Sequence, residues 1–158
     1  MSLNVARFRQ IQEIIREEPR RFEMSQWVQT QTRHDVVQTI AGPLPSDLWE
    51  FPDCGTVCCL AGWDQTLVRM ERGNNMQQAA KFVENDAFLT GSLAMFDLGL
   101  KTKCLFFVGG WPQPFQSDYN KAIAEKDYRL STHIACSLID HVIEHAEEWE
   151  APEPKRKG

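Results

Sequence analysis

Apolar residues recur at three- and four-residue intervals through most of the chain, a spacing that predicts helices. Val5, Phe8, Ile11 and Ile15, with Ile14 beside them, predict a helix over 4–17; Asn4 can cap it and Pro19 follows its end. Phe22, Met24 and Trp27 then offer anchors through a short helical turn after Ser25. The period resumes over 57–70, where Thr56 can cap and Leu60, Trp63 and Leu67 form one stripe flanked by Val57 and Met70. A third helix over "NNMQQAAKFVEND" takes Asn74 or Asn75 as its cap. A fourth, "AFLTGSLAMFDLGL", ends on Gly99 in a left-handed cap, with Leu100 supplying the contact after it. "TKCLFFVGGWPQPF" predicts a single turn opened by Thr102, then a Gly-Gly and Trp-Pro turn. Ser117 can cap a short helix over "DYNKAIA", and Asp127 the last and longest, over 128–149.

One stretch breaks the pattern. Residues 30–53 carry strand character only around Asp35–Ile40, and Gly42, Pro43, Pro45 and Pro52 interrupt it. The expected fold is therefore mainly α: a single compact helical domain over 1–150, of about five to six helices. One long irregular segment, holding a short strand or hairpin arm, lies between helix 1 and the Cys-rich helix. Residues 151–158 are expected to be a disordered tail.

Composition narrows the function classes. A chain of 158 residues can bury one ordinary core. No apolar run approaches the roughly 20 residues of a membrane helix, and the amphipathic N-terminus lacks the apolar centre of a signal peptide, so the protein is expected to be cytoplasmic, with no membrane partner. A net charge of −5 argues against nucleic acid as a partner; the basic "KRKG" is a four-residue tail.

Two clusters could carry chemistry. In "DCGTVCCLAGWDQTL", Cys54, Cys58 and Cys59 lie within six positions. With Thr56 as cap, Cys58 and Cys59 fall in the first helical turn, where the helix N-terminus favours a thiolate. At about 100° per residue, Cys58 and Gly62 share a small-residue face. Asp64 falls about 40° from Leu60, at the edge of the apolar stripe, where a carboxylate needs a partner or water. The alternatives are a thiol nucleophile, a metal knuckle with no second half, and tight packing at a helix start; packing suits the burial habit of free cysteine. In the last helix His141, His145 and Glu148, at i, i+4 and i+7, could reach one zinc ion. Equally, the histidines suit the favourable field at a helix C-terminus. His133 is expected to point outward. No cofactor is otherwise implied. Trp49 and Phe51 form one stiff aromatic turn and Trp111 and Phe115 another; each is a lid over the core or, if exposed, a protein-binding anchor.

The segments "PRRFEMSQW" (19–27), "CGTVCCLAGW" (54–63), "LGL" (98–100), "CLFF" (104–107) and "WP" (111–112) occur in that order. In this the chain resembles a family of small uncharacterised bacterial and phage proteins. Its members share a Pro-x-x-Phe-x-Met-x-x-Trp segment, a Cys-Gly-Thr-x-x-Cys-x-x-Gly-Trp helix start, an "LGL" turn and a Trp-Pro before the last helix. The likeness runs over roughly 19–145, with the segment 28–53 and Cys59 as departures. It implies one helical domain and makes Cys54–Trp63 a family feature; it brings no activity and no catalytic residues. The function expected is that of a non-enzymatic cytosolic protein acting by protein–protein binding, with a phage-associated or accessory role and a homodimer left open. The alternative is a thiol- or metal-dependent hydrolase using the Cys54–Cys59 block or the His141/His145 helix.

Overall fold

The computed structural model describes residues 2–24, 28–29, 57–85 and 87–153, and the fold is mainly helical. Seven helices are found among the described residues: α1 (Val5–Glu17), α2 (Leu60–Glu71), α3 (Met76–Asn85), α4 (Ala87–Leu98), α5 (Phe115–Ala124), α6 (Tyr128–Glu144) and α7 (Ala146–Trp149). α2 packs on α3 and α4, α5 on α6, and α1 bridges the two groups by touching α2, α4 and α6. None of these helices is long and apolar enough to cross a membrane.

The capping chemistry explains most boundaries. Asn4 Oδ1 accepts the Arg7 N–H at 3.1 Å to open α1. At α3, Asn75 Oδ1 accepts from Gln78 N–H (2.9 Å) while Gln78 Oε1 accepts from Asn75 N–H (3.1 Å), a reciprocal capping box. Asn74 serves the preceding helix instead, donating to the Arg69 carbonyl. α4 ends as its sequence predicts. Gly99 sits at φ +73°, its N–H donates to Phe96 O (3.2 Å), and Leu100 N–H donates to Met95 O (2.9 Å). Asp127 caps α6 through the Leu130 N–H.

Several boundaries differ from the expectation. α2 starts at Leu60, not 57, because Val57–Cys58 form a two-residue strand, β2, paired antiparallel with β1 (Val28–Gln29). These strands bracket the irregular segment; the strand expected at Asp35–Ile40, the Ser25 turn and Thr56 lie outside the described residues. A further short turn, not expected from the sequence, lies at Pro19–Arg21. α5 starts at Phe115 rather than after Ser117, whose hydroxyl donates to Pro114 O. The long last helix breaks at His145, which lets the chain cross to α4: Lys101 N–H donates to Trp149 O (3.0 Å) and Ala151 N–H to Gly99 O (2.8 Å). Ala151 is thus tied down, although the tail was expected to begin there.

The core joins Phe8, Ile11 and Ile15 of α1 with Leu60, Trp63 and Leu67 of α2, and with Ala135, Leu138, Ile139 and Val142 of α6. Phe22, from the chain after α1, is buried with them, and the Trp63 indole N–H donates to Arg21 O at 2.9 Å. Val5 was expected inside and is exposed, while Arg7 and Gln12 are buried in its stead.

At Gly99 two constraints coincide: a left-handed backbone and a Ser2 carbonyl oxygen lying where a Cβ would stand. Gly99→Ala is expected to lower unfolding free energy by about 2 kcal/mol or more, combining left-handed strain with the clash. Urea denaturation with an unchanged m-value measures it.

Candidate functional site

The most unusual chemistry in the described residues is a buried ionic joint between α1, α2 and α4. Arg7 leaves α1 within the apolar stripe, four residues before Ile11, so its stem enters the core. Its guanidinium spans three acids: Nη2 lies 2.8 Å from Glu71 Oε2, Nε 3.3 Å from Asp97 Oδ2, and Nε 3.9 Å from Asp64 Oδ1. Nη1 donates to Gln10 Oε1 at 3.0 Å. Asp64 is fully enclosed, Asp97 is half-buried and Glu71 reaches solvent. A guanidinium removed from water needs this many acceptors to offset its desolvation.

Asp64 is the odd member. Its Oδ2 accepts from the Gln65 side-chain amide at 2.8 Å, while its Oδ1 has no hydrogen-bond partner. Burial, reinforced by Asp97, pushes the carboxyl up to about 9, against opposing pulls from Gln65 and Arg7. Both the burial and the neighbouring Asp97 favour the protonated form of Asp64 over the carboxylate.

Of the cysteine block, the structure describes the side chain of Cys59. Cys54 lies outside the described residues, and Cys58 belongs to β2, so it shares no helical face with Gly62. Cys59 is the N-cap itself: its Sγ accepts the Gly62 N–H at 3.4 Å. Burial outweighs those N–H groups and pushes its thiol up to about 11, away from the thiolate. Buried Cys136 goes the same way, to about 11; Cys104 is exposed.

The histidine helix also rearranges. His141 and His145 stack at 4.3 Å between ring centroids, with Phe115 5.4 Å from His141, and the His145 ring nitrogen Nδ1 bonds to the His141 carbonyl. The break at His145 places Glu148 on α7, so i, i+4 and i+7 no longer lie on one helix. Among the described residues no group of three His, Cys, Asp or Glu side chains converges to hold a metal ion. His133 is exposed, as expected, at a groove of about 420 Å³ that Phe115, Leu130 and Ile134 also line.

Of the aromatic anchors, Trp49 and Phe51 lie outside the described residues. Trp111 is a lid over the core: it is buried, its indole N–H donates to Leu105 O at 2.8 Å, and its ring meets Tyr119 edge-on at 5.0 Å. Phe115 is half-buried.

The surface feature missing from the sequence reading is the outer face of α4. Leu89, Leu93 and Phe96, at i, i+4 and i+7, are 41, 46 and 72% exposed. Among the described side chains, α4 buries Thr90, Gly91, Ala94 and Leu98 and packs Met95 partly against the core. The signal lay in "AFLTGSLAMFDL", whose apolar residues are spread around the helix at a length too short for a membrane. Val5 and Ala6 extend the strip beside Phe96 at a shallow surface depression.

Compared with known proteins, the chain matches no family model, no curated protein and no solved structure.

Arg7→Ala would leave three acids gathered without their cation, and is expected to cost about 3–5 kcal/mol, the loss typical of breaking a buried pair. Arg7→Lys would recover little, because an ammonium cannot spread over three carboxylates as the fork does. Chemical denaturation of both variants tests this. For the thiols, a short iodoacetamide pulse at pH 7 read by peptide mass mapping is expected to label Cys104 and to leave Cys59 and Cys136 unmodified until the protein unfolds; fast labelling of Cys59 would restore the thiol-enzyme reading.

Proposed function

We propose that this chain is a non-enzymatic protein-binding module that docks another protein on the outer face of α4. One observation carries the reading: α4 holds Leu89, Leu93 and Phe96 outward at i, i+4 and i+7. An exposed apolar strip of this kind is a usual mark of a protein interface. Leu89, Leu93 and Phe96 would each contribute about 1.5–3 kcal/mol on full burial against a partner. A phage-associated or accessory setting rests on the family resemblance. The hydrolase alternative has less support, since the Cys59 thiol is buried and, among the described residues, no third ligand joins His141 and His145.

The double variant Leu93→Glu/Phe96→Glu changes only exposed positions and is expected to keep the wild-type melting temperature. Light scattering and co-purification from host cytosol compare it with wild type. The reading expects a stoichiometric protein held by wild type and lost from the variant, with affinity falling roughly 30-fold or more per side chain if each is worth about 2 kcal/mol. A wild-type dimer that the variant cannot form would identify the partner as a second copy. Identical behaviour of the two proteins would remove α4 as the binding face.

A further inference from the structure

The joint around Arg7 leaves one buried acceptor without a donor. The guanidinium's single Nε–H goes to Asp97 Oδ2 at 3.3 Å, Nη1 donates to Gln10, and Nη2 pairs with Glu71. Asp64 Oδ1 lies 3.9 Å from the same Nε, beyond hydrogen-bond length, and is buried with no donor. As an ionised carboxylate, Asp64 would hold an unpaired charge in the core, next to the like charge of Asp97. As a carboxylic acid it becomes a donor, and the acceptor that approaches the same Arg7 Nε from α4 is Asp97.

We propose that Asp64 folds as the neutral acid and donates its proton in a hydrogen bond to Asp97, so that α1, α2 and α4 are joined by a proton-held latch that loosens when the proton is lost. The charged groups facing Asp64 are few. α1 presents Arg7, α4 presents Asp97, and α2 itself carries Glu71, which is drawn to Arg7. α3, which also packs on α2, buries Ala79, Ala80 and Val83 and keeps Lys81 exposed. The turn after α4 buries Leu105 and Phe106 and exposes Lys101 and Lys103. The Arg7 Nε–H is given to Asp97, so an ionised Asp64 would stand beside that like charge with no donor on its Oδ1.

The direction of the pH effect follows from linkage. Asp64 titrates near 3.8 when unfolded and at about 9 when folded. The folded state therefore binds the proton more tightly. The stability this group holds is fully present below about pH 4 and is lost as pH rises to about 9.

Infrared spectroscopy of wild type at pH 7 is expected to show the carbonyl stretch of one protonated carboxylic acid, because exposed acids are ionised there. The band should bleach as pH passes about 9 and be missing from Asp64→Asn. Amide protection in α1 and α4, corrected for intrinsic exchange, should fall at least about tenfold between about pH 5 and pH 9 in wild type and level off as the band bleaches, and hold in Asp64→Asn, whose side-chain amide replaces the proton as a permanent donor. Absence of an acid band at pH 7, or protection that stays constant between about pH 5 and pH 9, would overturn the proposal. If Asp64→Asn does not fold, Asp97→Asn decides: removing the like charge should move the bleaching to lower pH, and an unmoved midpoint counts against the shared proton.

Discussion

A guanidinium held inside a small helical core constrains everything around it. Arg7 can stay buried only where acceptors surround it, and those acceptors come from two other helices, Asp64 and Glu71 from α2 and Asp97 from α4. Placing one side chain thereby sets the relative position of three helices. The consequences run outward along the backbone. Asn4, three residues before Arg7, donates its backbone N–H to Leu98 O and its side-chain amide to Asp97 O, which ties the start of α1 to the end of α4. That closeness brings the Ser2 carbonyl against Gly99 and leaves no room for a Cβ there.

A second polar anchor works the other side of α1. Gln12 is buried, and its side-chain amide donates to both the Cys136 carbonyl and Asp140 Oδ1 at 2.9 Å, while its Oε1 accepts from Arg9. Arg9 closes the loop on Asp140, whose carboxyl is held below its ordinary range, first by the Gln12 bond and then by Arg9. Apolar packing alone would let α1 roll, since Leu and Ile side chains tolerate many near-equivalent contacts. Arg7 aimed at α2 and α4, with Gln12 aimed at α6, removes that freedom.

Helix positions and caps were legible in the sequence because capping is local: Asn4, Asn75, Gly99 and Asp127 each act within a turn of their own residue. What failed to read out was long-range. The start of α2 was misplaced because pairing of Val57–Cys58 with Val28–Gln29 overrode a plausible Thr56 cap. The break at His145 follows from a bridge to the end of α4 that no local pattern announces. Arg7 and Gln12 were passed over because polar residues in an apolar stripe are ordinarily assigned to its edge, and only the partner helices show why they belong inside. Asp64 was legible as a question, a carboxylate 40° off a core stripe by helical geometry of about 100° per residue, but its answer needed Asp97, 33 positions away.

α4 links the ionic joint to the proposed binding face. Where α4 buries Thr90, Gly91 and Ala94 it gains little from apolar transfer, with Leu89, Leu93 and Phe96 standing outside and Leu98 buried at its end. Small inner residues do allow close approach to α2, and that approach brings Asp97 within reach of Arg7 and Asp64. The helix is therefore held by directional contacts, the Asp97 bonds, the Asn4 ties and the Gly99 cap, more than by bulk burial. Phe96, the most exposed member of the strip, is the residue before Asp97. A partner seated on Phe96 and Leu93 would bear on the turn that carries the Arg7 bond, and a change in the Asp64 proton would act on that turn from within. Contact from outside and charge from inside thus converge on the last turn of α4.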